Sequence, residues 1–377
     1  MSVLIGGTAK FPGTDNHLIG SHGDDFIFGD PHTGGVPDGS GVPEIGGFLS
    51  SGHGGNDILE GLGGADDIYG DAWIMAGSGK GGNDCLSSSG FADELVGDAN
   101  KVTGYAQGGD DKLYGSPTSY MLGDGVVLSD HARGGNDLLV GGSGQQELTG
   151  DGALLDHAQG GNDRLYGGAG NDVLFGEGDV MYADARGGND RLSGGAGDDF
   201  MSGDSFNEMY SHTTGGSDIL YGGSGNDFLA GDSTENMRDS SRGGDDYLFG
   251  GDGNDVLYGD GAEAIGRPTG GNDHLDGGRG DDQLTGDFGV FDRGVSRGAD
   301  RFVFEPGSGR DTITDFELNK DKIDVASYGY AAFAELRTHI HDNSAGDAVI
   351  HLNGTKDEVT LEDVHTASLH ATDFIFC

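Results

Sequence analysis

The chain has 377 residues, 79 of them glycine, and its 65 Asp and Glu against 20 Lys and Arg give a formal charge of −45. That balance excludes nucleic acid and anionic membrane surfaces as partners and favours cations, hard divalent ions with oxygen ligands above all. No apolar run approaches the roughly 20 residues that span a bilayer, and two cysteines, Cys85 and Cys377, are too few for a disulfide scaffold.

Chains this rich in glycine and like charge ordinarily stay unfolded, because they bury too little apolar surface to offset backbone entropy. A strict period argues against that here. Residues 1–12 open with MSVLIGGTAKF, which lacks the basic region, apolar core and cleavage site of a secretory signal, and are expected to be a lead-in. From residue 13 a nine-residue unit recurs, as in GGAGNDVLF (167–175), with Asp172 at position six and Leu174 at position eight. Twenty-two such units can be written, and position eight is apolar in all of them, from Leu18 to Ile313. Position six is Asp in 19: Asp25, Asp57, Asp66, Asp84, Asp93, Asp111, Asp137, Asp163, Asp172, Asp190, Asp199, Asp218, Asp227, Asp246, Asp255, Asp273, Asp282, Asp300 and Asp311. In the unit 115–123 the same count puts Tyr120 at position six and Leu122 at position eight, and the other two exceptions are Asn16 and Gln146.

The units come in pairs spaced 26 to 28 residues apart, with a looser segment between them; residues 31–51 replace one such segment with a long Pro/Gly loop. The looser segments usually open with Gly-Asp and carry an apolar residue: Met75, Val102, Leu128, Leu155, Met181, Met209, Met237, Ile265 and Phe291. Each unit holds one apolar residue that it cannot bury alone, which is the signature of stacked coils. The triplet after each Asp reads as a short strand with its middle side chain inward. The preceding glycines supply positive φ for a tight turn and let carbonyls approach an ion beside the Asp carboxylate. A two-strand roll would need one and a half coils per 27 residues. The in-phase apolar column of the third segment favours about 27 residues per coil, with three sides.

Units such as GGSGNDFLA (222–230), GGDGNDVLY (250–258) and GGRGDDQLT (277–285) resemble the RTX, or haemolysin-type, calcium-binding repeats across residues 13 to about 315. The resemblance implies an all-β, right-handed parallel β-roll or β-helix solenoid with several Ca²⁺ ions in its turns, and the aspartates named above match the family's ligand positions. The solenoid is expected to cover residues 13–297.

Residues 298–377 are expected to hold the final repeats and a β-rich cap, since KIDVASY, DAVIHLNG and DEVTLEDV alternate in the ordinary way and AAFAELR is helical. The run DRFVFEPGSGRDTITDFELNKDKIDV and the end ATDFIF resemble the C-terminal region of serralysin-type exoproteins, which implies an uncleaved signal for the type I secretion machinery of a Gram-negative bacterium.

Other motifs yield to simpler readings. Gly77, Gly79 and Gly82 in GSGKGG lack the flanking strand and helix of a nucleotide site. Gly294, Ser296 and Gly298 lack the helix that follows a nucleophile elbow. No HExxH is present, so the zinc protease activity of serralysins does not carry over. His339, His341 and His351 read as surface histidines before they read as a metal site. A column of Tyr105, His131, His157, Asp184 and His212, each three residues before a Gly pair, could offer acid and base groups to an extended polysaccharide.

The sequence therefore reads as a secreted, extracellular or cell-surface calcium-binding protein, non-enzymatic and structural or interacting in role. An acidic or cell-surface polysaccharide is a candidate partner. The alternative is a lyase- or epimerase-like enzyme, or a lectin, acting through the column at 105–212.

Overall fold

The computed structural model describes residues 2–5, 15–29, 47–352 and 356–376. Most of the 1–12 lead-in, most of the 31–51 loop and Cys377 lie outside them. Contacts divide the chain into two units, residues 1–192 and 193–377.

In the first unit every coil lays down three short strands, and each pairs in parallel with its counterpart one coil away. The coil holding Cys85–Ser88, Asp93–Val96 and Lys101–Val102 is typical. The strands after the first Asp of each pair stack with Leu59, Leu86, Leu113, Leu139 and Leu165 in register. Those after the second Asp stack Ile27, Ile68, Leu95, Met121, Leu148 and Leu174. The third side stacks Leu49, Met75, Val102, Leu128, Leu154 and Met181. All of these side chains are buried, so the core is one inward residue per side per coil, as strand alternation requires.

The second unit repeats the plan. Leu220, Leu248, Leu275, Phe302 and Ile323 form one column, and Met201, Leu229, Leu257, Leu284 and Ile313 another. The coils are three-sided β-solenoid turns of about 27 residues.

Four readings of the apolar column shift. In the unit 115–123, Ser119 pairs with Asp93 and Met121 with Leu95. Ser119, not Tyr120, therefore stands in the Asp column, and Met121, not Leu122, fills the core. The turn before it, Ser116-Pro117-Thr118, is one residue shorter than the others, and a slip of one residue exchanges the two faces of a strand. Leu122 packs instead with Phe28, Tyr69 and Val96. On the third side Leu154 and Ala264 point inward rather than Leu155 and Ile265, and Phe291 is exposed while Phe288 is buried. Segment length varies on this side, so a fixed offset from Gly-Asp misplaces the inward residue.

Beyond residue 315 the stacking continues. Lys322–Asp324 pairs in parallel with Arg301–Val303, and Phe374–Ile375 pairs with Lys322–Asp324. Glu358–Leu361 lies parallel to Arg310–Ile313, and only then do Ala348–His351 and Ile340–Asp342 add antiparallel strands. The expected helix is a single turn, Phe333–Leu336.

Candidate metal centre

All 19 aspartates of the repeat are at most 3% exposed, and they fall into two columns. The first turn leads into the strand after the first Asp of each pair. Its column holds Asp57, Asp84, Asp111, Asp137, Asp163 and Asp190 in the first unit and Asp218, Asp246, Asp273 and Asp300 in the second. The second turn holds Asp25, Asp66, Asp93 and Asp172 in the first unit, and Asp199, Asp227, Asp255, Asp282 and Asp311 in the second.

Within a column backbone N–H groups donate to the carboxylate one coil on. Asp111 N–H donates to Asp137 Oδ1 at 2.7 Å and Asp137 N–H to Asp163 Oδ1 at 2.8 Å. In the second turn Asp227 N–H donates to Asp255 Oδ1 at 2.8 Å. One oxygen of each carboxylate is thus occupied. The other, in Asp84, Asp111, Asp137, Asp163, Asp246, Asp273 and Asp300, is buried without a hydrogen-bond donor. A buried anion with an idle oxygen is costly unless a cation meets it.

The sequence reading missed a third column. The Gly-Asp that opens each third side places Asp71, Asp98, Asp124, Asp151 and Glu177 in the first unit, and Asp204, Asp232, Asp260 and Asp287 in the second, at no more than 1% exposure. Each accepts a hydrogen bond from the glycine two residues before the next first-turn Asp, which is the second of a Gly pair everywhere but at Arg297-Gly298: Gly109 N–H to Asp98 Oδ2 at 3.0 Å, Gly161 N–H to Asp151 Oδ2 at 2.7 Å, Gly271 N–H to Asp260 Oδ1 at 2.8 Å. These acids face the first turn, so that one carboxylate oxygen each of Asp124, Asp137 and Asp151 lie within 4.8 Å of one another. The recurring Gly-Asp dipeptide is visible in the sequence, but only as the opening of the looser segment, because no nonapeptide position calls for it.

This column corrects the role given to the Gly pairs. A Cβ on Gly134 would sit 1.6 Å from Asp151 Oδ1 and 2.5 Å from Asp124 Oδ2, and one on Gly135 would sit 1.5 Å from the Gly109 carbonyl. Those glycines are required by close approach. Positive φ belongs to the second turn, as at Gly168 (φ 108°) and Gly170 (φ 129°).

Among the described residues the second turn has no third-column partner, and at two levels it has no Asp. Gln146 is buried, and its amide donates to the carbonyls of Ser116 at 2.9 Å and Gly144 at 3.1 Å, while its Oε1 accepts from Ser119 N–H at 3.2 Å. Ser116 Oγ donates to Asp93 Oδ2 at 3.0 Å. Protein N–H and O–H groups thus take the carbonyl and carboxylate oxygens at this level. Asn16 acts likewise in the first turn, donating to Gly29 O at 3.1 Å and Asp57 Oδ1 at 3.0 Å. At the far end of the second unit Asp321 extends the column, its Oδ1 accepting from Asp300 N–H at 3.1 Å. There Lys320 Nζ donates to the Arg297 carbonyl at 2.6 Å, and Arg297 pairs with Glu317.

The electrostatics rank the turns. Burial, then neighbouring carboxylates, holds Asp98, Asp124 and Asp137 well above the usual carboxylate range. Asp246 is pushed up to about 8 and Asp287 and Asp300 to about 9 in the first turn, burial again leading. In the second turn Asp255, Asp282 and Asp311 reach about 7, mainly from burial. Oxygen-only donors, two or three carboxylates and crowded carbonyls fit a hard cation such as Ca²⁺. At Gly123, for example, a Cβ would meet both Asp137 Oδ2 at 2.0 Å and the Gly150 carbonyl at 1.9 Å.

The remaining motifs stand apart from these turns. Gly77 and Gly79 lie within the strand Ile74–Lys80, and Ser296 bridges in parallel to Thr269, so neither is followed by a helix. His341 and His351 stack at 4.7 Å, with His351 Nδ1 3.1 Å from Glu358, while His339 lies beside Tyr330. The rings of Tyr105 and His131 are 5.0 Å apart and those of His131 and His157 5.2 Å, and His157 Nε2 is 3.7 Å from Asp184. This ladder is exposed; His212, in the second unit, is exposed as well. Asp130, Asp156 and Asp184 hold a left-handed backbone, as Gly104 does one coil before Asp130.

Parallel coils with carboxylates buried in their turns define a cation-binding β-solenoid. The family model of the RTX calcium-binding nonapeptide repeat matches residues 13–31, 51–72, 131–152, 157–180, 182–207, 212–236, 241–262 and 269–290. The chain is a protein of RTX calcium-binding repeats. Among solved structures it is similar to the AlgE6R2 subunit of the Azotobacter vinelandii mannuronan C5-epimerase, at 27% identity over 38% of this chain and 92% of that one, with a TM-score of 0.25. The AlgE6R3 subunit of the same enzyme is 29% identical over 38% of this chain and 80% of its own, with a TM-score of 0.25. The extracellular lipase LipA of Serratia marcescens is 18% identical over 70% of this chain and 40% of its own, again with a TM-score of 0.25. No protein of curated function matches the sequence. Among the described residues no helix is long and apolar enough to cross a membrane.

Proposed function

We propose that this protein leaves a Gram-negative cell unfolded through type I machinery, folds outside on binding calcium at the repeat aspartates, and serves there as a non-enzymatic structural or interaction protein. The observation that carries this reading is the run of buried carboxylate oxygens without a donor, such as those of Asp111, Asp137 and Asp163. At neutral pH the coil cannot keep these anions buried by itself, and like charges one coil apart repel. Bound calcium supplies the positive charge that offsets them, so folding and binding are linked. Extracellular calcium modules bind with dissociation constants of about 0.1 to 1 mM, far above cytosolic free calcium, which keeps the chain unfolded inside and folded outside. Circular dichroism tests this directly. A coil spectrum in chelator that turns to β on titration to about 10 mM calcium, ten times the weaker constant, is expected; the same β spectrum in chelator overturns the reading.

The ladder of Tyr105, His131, His157 and Asp184 supports a second reading, an enzyme or lectin for acidic polysaccharide. Its test is turnover of alginate-like polymers by the wild type against His131→Ala/His157→Ala. Turnover lost in a variant that still folds with calcium favours it, and no turnover by the wild type removes the enzyme.

A further inference from the structure

We propose that the third-side acids, Asp71, Asp98, Asp124, Asp151 and Glu177 and their counterparts in the second unit, are calcium ligands in their own right, making the first turn a separate and tighter class of site than the second. The inference rests on the calcium-folding reading above and extends it to residues outside the nonapeptide.

Asp98 and Asp151 are fully buried, and in each one oxygen is held by a glycine N–H while Oδ1 has no donor. That Oδ1 is aimed into the turn: it occupies the space a side chain would take on Gly81 or Gly134, with a built Cβ 1.7 or 1.6 Å away. Asp137 has an idle Oδ2 of its own and belongs to a three-carboxylate group with Asp124 and Asp151, one oxygen of each lying within 4.8 Å of the others. An acid that served only to cap the Gly pair needs one oxygen and gains nothing from glycine at the first position. Asn or Ser would cap as well, yet every third side from residue 71 to residue 287 keeps an acid, in one coil as the longer Glu177. The second-turn column, by contrast, admits Ser119 and Gln146.

Charge counting separates the classes. Each coil adds one carboxylate of the Asp137 column and one of the Asp124 column to the first turn, so each level gains two negative charges, the charge of one calcium ion. The second turn gains a single carboxylate per level. Calcium affinity follows the number of charged ligands, so the first-turn levels fill first.

Equilibrium dialysis with radioactive calcium, on the full chain, tests this. The wild type is expected to show a tight and a weak class of sites. Asp124→Asn should weaken the adjoining tight sites about tenfold or more, whereas Asp255→Asn subtracts only from the weak class. Asp124→Glu, which keeps the acid in the form of Glu177, should restore the tight class. An Asp124→Asn protein with the wild-type tight class, or a Glu variant as weak as the Asn variant, overturns the assignment. A wild type that binds no calcium overturns the folding reading itself, so the two failures are distinguishable.

Discussion

The two turns of one coil use the same residues, glycine and aspartate, to different ends. In the first turn two columns of acids face each other across glycines that are small because a carboxylate fills the space of their side chains, as at Gly134. In the second a single column lies against two kinds of glycine: one whose side-chain space the column's own carboxylate fills, as Asp255 Oδ2 does at Gly250, and others that hold a left-handed backbone, as at Gly170. The first turn is electrostatically unstable without a cation. The second tolerates neutral substitutes, since Gln146 and Ser119 satisfy its oxygens with their own hydrogen bonds. A repeat motif thus fixes where oxygen ligands gather, and the residues outside the motif decide how strongly they need an ion.

The largest expected effect comes from removing the first-turn column within one unit. Asp246→Asn/Asp273→Asn/Asp300→Asn should raise the calcium concentration needed for folding by about tenfold or more, whereas Asp227→Asn/Asp255→Asn/Asp282→Asn should raise it only about threefold. Calcium titrations followed by circular dichroism measure both, and equal shifts would erase the distinction between the turns.

Acidity should separate the turns next. Carboxyls raised above their ordinary 3.8 bind protons in the fold that the unfolded chain releases. They therefore stabilise the calcium-free fold fully below about pH 4 and lose that contribution as pH rises through their folded values. In the second unit those values are about 7 for Asp255, Asp282 and Asp311, and about 8 to 9 for Asp246, Asp287 and Asp300. In chelator, structure present near pH 4 should fade as pH rises toward about 9. With calcium the sign reverses, because protons compete with the ion and affinity climbs over the same range. Structure in chelator that is constant from about pH 4 to 9 would contradict this.

A smaller, local change sharpens the same contrast. Gln146→Asp replaces the amide that donates to Ser116 O and Gly144 O with a carboxylate. Its calcium-free form should lose about 1–3 kcal/mol from the stranded carbonyls, and at saturation the variant should bind one ion more. Isothermal titration calorimetry reads the count, and an unchanged count would mean that this level has no room for a cation.

Much of this was legible in the sequence. The 27-residue period, the place of Asp137 in a turn and the inward side chain of Leu165 follow from spacing, because stacked parallel strands must keep like residues in register, and the in-phase apolar column favours three sides over two. The misplacements occurred where length varies. One residue fewer at Ser116-Pro117-Thr118 moved Met121 into the core, and loose third sides exchanged Leu155 for Leu154 and Ile265 for Ala264. The acids of the third side stand in the sequence only as the Gly-Asp that opens each looser segment, since nothing in a one-dimensional pattern says that Asp124 and Asp151 lie beside Asp137. Only the coil geometry brings together residues 13 and 14 positions apart. Likewise Asp321 lies where the repeat no longer reads as one, and its register with Asp300 emerges from strand pairing.

The most direct measurement is an anomalous-scattering map from crystals grown with calcium. A calcium peak bounded by Asp124, Asp137 and Asp151, and none at the Ser119 and Gln146 level of the second turn, is the expected result. A map with no peak among the three acids, with their carboxyls bonded to one another or to water, would contradict a solenoid held by ions in its first turn.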